Sequence, residues 1–274
     1  MPATTPADLP LLPHWTTQLA ALRQRLRQVP RLLIVSDFDG TLAPLVDHPE
    51  HAALHPTVPR VLKKLAALHP RVWLCFLSGR ELADLTARIG GGMTGVILGG
   101  NHGMELSGAG LDWTHPAGIA ARPCLEELAG KLRQAVTDIT GTVIEDKGVA
   151  LTLHYRRVPA AKLTALHAAV EAIPLPAGIL RHEGKKVIEF RPQLDWHKGQ
   201  ALRRIMQRLG MPSSTVVYLG DDLTDEDAFR VLKSTGITVH IGPPDAHTLA
   251  RLHAHDPGDA VKFLKALTEI LTTA

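Results

Sequence analysis

Two cysteines in 274 residues are too few for a disulfide framework. Neither Cys75, inside an apolar run, nor Cys124, near the start of a helical one, has metal-ligand spacing, and both read as reduced packing residues. No stretch of about eighteen apolar residues occurs, which argues against a membrane-spanning helix and a membrane partner. The opening Met1-Pro2-Ala3-Thr4-Thr5-Pro6 lacks the basic start and apolar core of a signal peptide, so a cytoplasmic location is expected. Charge of one sign is also missing. Thirty Lys+Arg against 27 Asp+Glu leave only +3, with the basic residues scattered, so nucleic acid is not indicated. An anionic small molecule is compatible with that balance, and a monomer is the expected state. A content of 45% hydrophobic and 21% charged residues is ordinary for a globular protein of one or two domains.

What is present is a strong alternation of strand-like and helix-like segments. Residues 1 to 13 hold four prolines and read as a loose tail before a short helix around Trp15 to Gln28. The run Leu32-Leu33-Ile34-Val35-Ser36 has the texture of a strand buried on both faces. Thr57 then looks like an N-cap, with Val58, Val61, Leu62, Leu65 and Ala66 on one helical face before the strand-like Val72 to Leu77. A helix from Glu81, a strand at Gly95 to Leu98, a helix through Leu202 to Leu209 ending at Gly210, and strands at Val216 to Leu219 and Ile237 to Ile241 continue the pattern. Strands alternating with helices imply an α/β protein with a Rossmann-like, doubly wound parallel sheet. From about 111 to 192 the strands turn half polar: Leu151 and Leu153 alternate with His154 and Arg156, Ile188 and Phe190 with Glu189 and Arg191, and Glu145 pairs with Lys147. An inserted α+β cap is expected there, presenting paired charges to something polyhydroxylated, with a solvated sheet face as the plain alternative. The expected division is 1–28 for the tail and first helix, 29–110 with 193–274 for the core, and 111–192 for the cap.

The chemistry gathers at strand ends. Asp37 and Asp39, in Asp37-Phe38-Asp39-Gly40-Thr41, start on the same face of an extended segment, which costs free energy unless a cation or shared proton offsets the repulsion. A second acidic run, Gly220-Asp221-Asp222-Leu223-Thr224-Asp225-Glu226-Asp227, follows another strand. Thr224 can cap a helix there, with Asp225 to Asp227 complementing its dipole. Acid pairs converging from two strand ends suit Mg²⁺ with oxygen ligands better than zinc. His51 and His55 are four apart, yet His55 precedes a proline and no carboxylate motif flanks them, which argues against zinc there. Ser78, at the end of a third strand, and Lys198, at the start of a helix, fit a site for phosphoryl transfer, because both can meet phosphate oxygens.

Asp37-Phe38-Asp39-Gly40-Thr41, Ser78, Lys198 and Gly220-Asp221-Asp222-Leu223-Thr224-Asp225 resemble, in order and spacing, the four motifs of the haloacid dehalogenase superfamily of phosphotransferases. Gly100-Asn101-His102-Gly103-Met104-Glu105, Glu145-Asp146-Lys147-Gly148, His154-Tyr155-Arg156 and Glu189-Phe190-Arg191-Pro192 resemble its trehalose-6-phosphate phosphatases. The resemblance implies a mobile cap and Mg²⁺ held by Asp37, Asp221 and the Asp39 backbone carbonyl. Asp37 is then the nucleophile and Asp39 the acid and base, protonated at first and positioned by Thr41. Asp222 and Asp225 hold metal-bound waters or orient Lys198. The Ser78 hydroxyl and the backbone amides that follow it, at Gly79 and Arg80, can hold a phosphate oxygen; the resemblance puts His102 and Glu105 at the hinge near the sugar and Glu145, Lys147 and Glu189 on the distal glucose, with Arg156 and Arg191 either joining them or forming structural ion pairs with a nearby cap acid. The implied substrate is trehalose 6-phosphate. The alternatives are another sugar phosphate on the same core, or a sugar-phosphate sensor without catalysis.

Overall fold

The computed structural model describes residues 12–46, 49–184, 186–245 and 247–273. Residues 1 to 11, most of the expected tail, lie outside the described residues. The described residues up to Asp112 together with those from Trp196 onward form one compact unit, and those of Trp113–Asp195 form another.

The first unit is organised by one sheet. β1 (Leu32–Ser36), β2 (Val72–Leu77), β3 (Val96–Gly100), β10 (Val216–Gly220), β11 (Ile237–Ile241) and β12 (Leu252–Ala254) run parallel in the order β12-β11-β10-β1-β2-β3. β4 (Glu105–Gly108), antiparallel to β3, and β5 (Leu111–Thr114) extend one edge. Side chains alternate faces. Leu32, Ile34, Leu74, Phe76, Val217 and Leu219 face a core completed by α1 (Leu19–Arg27), α2 (Val58–Ala66), α3 (Leu82–Ile89) and α8 (Pro257–Thr272). Leu33, Val35, Cys75 and Tyr218 are buried outside that core, and Phe229 of α7 (Leu223–Leu232) meets the Tyr218 ring edge-on at 5.6 Å. Beside α7 lies α6 (Lys198–Leu209). Each buried aliphatic side chain is worth roughly 1.5–3 kcal/mol. Both faces of β1 collect that gain, so its near-continuous apolar run is what a central strand needs. The expected doubly wound α/β architecture is present, and the C-terminal ends of β10, β1 and β2 lie next to one another.

The second unit is an antiparallel sheet in the order β6-β7-β9-β8: β6 (Val143–Asp146), β7 (Leu151–His154), β9 (Val187–Pro192) and β8 (Ile179–Gly184). Leu151, Leu153, Ile188 and Phe190 point into a core shared with α4 (Pro116–Ala135) and α5 (Leu163–Glu171). Two local expectations are corrected. Thr57 sits at the N-cap position of α2 without capping it, its hydroxyl lying 3.1 Å from His55 Nδ1 instead. β7 stops at His154, and Tyr155 to Val158 form a turn, so exposed Arg156 lies beyond the strand face.

Candidate active site

Asp37 follows β1 directly, its amide donating to Leu219 O at 2.9 Å and its side chain buried. The chain then folds back: Leu42 and Ala43 amides both donate to Phe38 O, and the Gly40 amide donates to Ala43 O. Gly40 has φ +75°, and a Cβ there would fall 1.9 Å from Asp221 Oδ2. Only glycine lets this turn lie against the second acidic segment. Thr41 Oγ1 donates to Asp221 Oδ1 at 3.0 Å, so the hydroxyl expected to position Asp39 is committed to Asp221.

The second segment is organised by Asp225. Its Oδ1 accepts from Lys198 Nζ and from the Tyr218 hydroxyl, each at 2.8 Å, and its Oδ2 accepts from the Asp221 and Asp222 amides, each at 3.2 Å. The cap of α7 is therefore Asp222, whose carboxylate accepts from the Leu223 amide, in a reciprocal capping box with Asp225. Thr224 falls inside the helix. Lys198 is the first residue of α6, a helix capped by His197 Nδ1, which accepts from the Gly199 amide. Its ammonium reaches Asp37 Oδ1 at 3.1 Å. Tyr218 and His197 escaped the sequence reading because a tyrosine in an apolar strand and a histidine before a lysine carry no motif of their own.

Asp37, Asp221 and Asp225 each bring an oxygen within 4.8 Å of the others, against the single buried ammonium of Lys198. The charge is unbalanced. Burial, and after it the neighbouring Asp225 and Asp221, push Asp37 well above the usual carboxylate range despite Lys198. Burial and then Asp225 push Asp221 up to about 7, with Thr41 and Lys198 pulling the other way. Burial opposes the charge on Lys198, but Asp225 and Asp37 outweigh it and hold the ammonium firmly protonated. This set of oxygens is a fitting cradle for a hard divalent cation. Asp225 already accepts four hydrogen bonds, which leaves Asp37 and Asp221 as the carboxylates with oxygen to spare.

Beside them, Ser78 directly follows β2. Its Oγ accepts from the Arg80 amide at 3.2 Å, and its carbonyl accepts from the His102 amide. A Cβ on Gly79 would meet the His102 ring at 2.8 Å, so the Ser78-Gly79-Arg80 turn and His102 are packed together. Arg80 grips Asp39 with two contacts of 2.7 Å, Nε to Oδ2 and Nη2 to Oδ1. Its third nitrogen donates to Asp84 at 2.7 Å, which Arg88 also holds, and its guanidinium lies over Phe38. The turn after the strand end puts Arg80 at the phosphate, and the resemblance makes Asp39 a protonated acid; here both Asp39 oxygens accept from the Arg80 side chain. Giving or taking a proton requires Arg80 to release one of them. Glu105 accepts from the Asn101 side chain at 2.7 Å.

Within the second unit, Glu145, Thr152, Glu189 and His182 form one cross-strand row on the face opposite the core. Glu145 Oε2 lies 2.7 Å from His154 Nε2 and 3.9 Å from the Lys147 ammonium, and Arg191 lies 3.8 Å from Glu189. Lys147 is buried in the β6–β7 turn rather than on a strand. Thr152, which carried no charge to mark it, has a buried hydroxyl without a hydrogen-bond partner among the described residues.

The trehalose-phosphatase family profile matches residues 35–256. The trehalose-phosphate phosphatase of Mycobacterium marinum is 35% identical over 254 residues, covering 89% of this chain and 63% of that protein. The chain thus spans less than two thirds of that relative. Among solved structures, an Aspergillus fumigatus trehalose-6-phosphate phosphatase is 29% identical with a TM-score of 0.62, covering 93% of this chain and 98% of that one. The C-terminal domain of the Candida albicans trehalose-6-phosphate phosphatase has a TM-score of 0.74 at 24% identity, covering 96% and 99%, a likeness of fold. With the profile spanning all four motifs, the chain belongs to the trehalose-phosphatase family.

Proposed function

We propose that this chain hydrolyses trehalose 6-phosphate to trehalose and inorganic phosphate, in the cytoplasm, as the last step of trehalose biosynthesis. The observation that carries the reading is the buried Asp37–Lys198 pair at the end of the central strand, in a member of this family.

Asp37 attacks phosphorus in line. The bond from phosphorus to the sugar oxygen breaks, and Asp39 gives that oxygen its proton. Water then attacks the aspartyl phosphate, Asp39 takes a proton from it, and Asp37 is regenerated with phosphate released. Lys198 faces the charge that spreads over the phosphoryl oxygens, and the Ser78 hydroxyl with the amides of the Gly79 turn holds one of them. An incoming phosphate dianion competes with Asp39 for Arg80, and the released Asp39 carboxylate takes up from solvent the proton that it then gives to the leaving oxygen. Mg²⁺ suits the donors offered by Asp37, Asp221 and the Asp39 backbone carbonyl, and supplies, when bound, the positive charge that keeps Asp37 ionised. Thr41 orients Asp221, and Asp225 orients Lys198.

We assign sugar recognition to the unit Trp113–Asp195, acting as the cap. Glu145, Lys147 and Glu189 are the residues for the distal glucose, Arg191 and Arg156 supporting ones, and His102 with Glu105 meets the sugar nearer the phosphate. The test is phosphate release with Mg²⁺ across a panel of sugar phosphates. Trehalose 6-phosphate is expected to be turned over fastest. A faster hexose phosphate or sucrose 6-phosphate would overturn the substrate, and tight binding of trehalose 6-phosphate with no phosphate released would overturn catalysis.

A further inference from the structure

Well apart in sequence from the strand-end motifs, three histidines meet one carboxylate. His14 and Asp259 are 245 positions apart, yet His14 Nε2 lies 2.6 Å from Asp259 Oδ2. The other nitrogen of His14 lies 2.7 Å from the Thr16 hydroxyl. His255 stacks on His14 with ring centroids 4.6 Å apart, and a nitrogen of each ring and an oxygen of Asp259 all fall within 4.8 Å of one another. His253, 4% exposed, turns its ring against both, with centroids 5.1 Å from His14 and 5.0 Å from His255. His253 is hydrogen-bonded to the Gly242 backbone, and its buried Nδ1 has no partner among the described residues.

Part of this is structural. Asp259, near the N-terminus of α8, accepts from the His255 amide at 3.0 Å, and the His253 amide donates to Pro13 O at 3.1 Å. Helix capping and strand pairing do not explain why three imidazole rings gather around this carboxylate. An imidazole that gives up a ring proton presents a nitrogen lone pair to a metal.

We propose that His14, His255 and Asp259 form a second cation site, for a borderline divalent transition ion such as Zn²⁺, distinct from the all-oxygen cluster of Asp37 and Asp221. Two imidazoles and a carboxylate with an open fourth position match that ion's ligand preference. At metal–ligand bonds of about 2.0 Å, tetrahedral donor atoms stand about 3.3 Å apart. His14 and Asp259 therefore need to separate by less than an ångström. The metal replaces the proton that His14 and Asp259 share, and that proton leaves to solvent. Thr16 bonds the far side of the His14 ring and fixes its orientation, as outer partners of ligating histidines do. Lys262, 3.9 Å from Asp259 Oδ1 and largely exposed, yields its place to the ion. The bound metal clips the segment before α1 onto α8.

Titration of the untagged full chain with Co²⁺, followed by visible absorption, tests this. A four-coordinate imidazole site absorbs strongly, whereas a six-coordinate oxygen site barely does. About one equivalent is expected to saturate the band. The band is lost in His255→Ala, an exposed position, while Mg²⁺-dependent phosphate release is kept. Thr16→Val weakens Co²⁺ binding by roughly 10- to 100-fold. Zn²⁺ raises the Tm of the unmodified chain and not that of His255→Ala. No band in folded protein, or a band that survives His255→Ala, overturns the proposal, as does one lost in Asp221→Asn.

Discussion

Asp225 carries none of the proposed bond changes, yet the site's charge arrangement depends on it. It is fully buried, holds Lys198 and Tyr218 on one oxygen and the turn amides of Asp221 and Asp222 on the other. Removing the carboxylate leaves a buried ammonium with Asp37 alone, and breaking such a pair costs about 3–5 kcal/mol. Asp225→Ala is therefore expected to lower the urea midpoint far more than Asp37→Asn, which keeps the shape of the side chain. Equal midpoints for the two variants would remove this role. The proton duty of Asp39 has its own test. Asp39→Asn should cut turnover of the sugar phosphate by about 100- to 10,000-fold. An aryl phosphate, whose phenolate leaves without a proton, should still give a burst of phenol before a slow steady state. Loss of the burst would mean that Asp39 serves geometry and not proton transfer.

At the scale of elements, three of the four motifs, those of Asp37, Ser78 and Asp221, were legible because a buried parallel strand announces itself as an apolar run and delivers its next residues to the sheet edge, whereas Lys198 opens a helix. The charge alternation in Val187–Pro192 likewise located the polar face of β9. What escaped depended on backbone geometry rather than residue type. Asp222, and not Thr224, caps α7, because the chain is still extended at Asp222, with φ −117° and ψ 166°. Arg156 reads as the next outward residue of β7, but pairing ends at His154 opposite Val187 and the chain turns. Arg80 reads as a phosphate ligand, and its bidentate hold on Asp39 is a contact between two strand ends that no spacing reveals. The row Glu145–Thr152–Glu189 is where specificity is expected. Glu145→Ala should reduce kcat/KM for trehalose 6-phosphate by roughly 10- to 100-fold, the loss of one or two hydrogen bonds to a charged acceptor. Hydrolysis of a small aryl phosphate should change little. Matching losses on both substrates would place Glu145 outside sugar recognition.

For the whole molecule, the carboxylate cluster links stability to pH and to cations. Folded Asp221 holds its proton up to about pH 7, and Asp37 shifts in the same direction, whereas an unfolded aspartate releases its proton near 3.8. Between those values the folded chain binds more protons than the unfolded one. Stability from this source is thus complete below about pH 4 and falls as pH rises through 7, by at most about 4 kcal/mol for Asp221. A divalent cation acts oppositely, because it binds the ionised pair and must compete with protons at low pH. Mg²⁺ is therefore expected to raise the Tm clearly at pH 7.5 and little at pH 5. Asp221→Asn, which cannot ionise, should flatten the acid-side gain and abolish the Mg²⁺ response together. Since the histidine cluster near α8 is the same in both proteins, the difference between them isolates the strand-end site. Equal Mg²⁺ stabilisation at the two pH values, or a response that survives in Asp221→Asn, would show that the cation acts elsewhere on the fold.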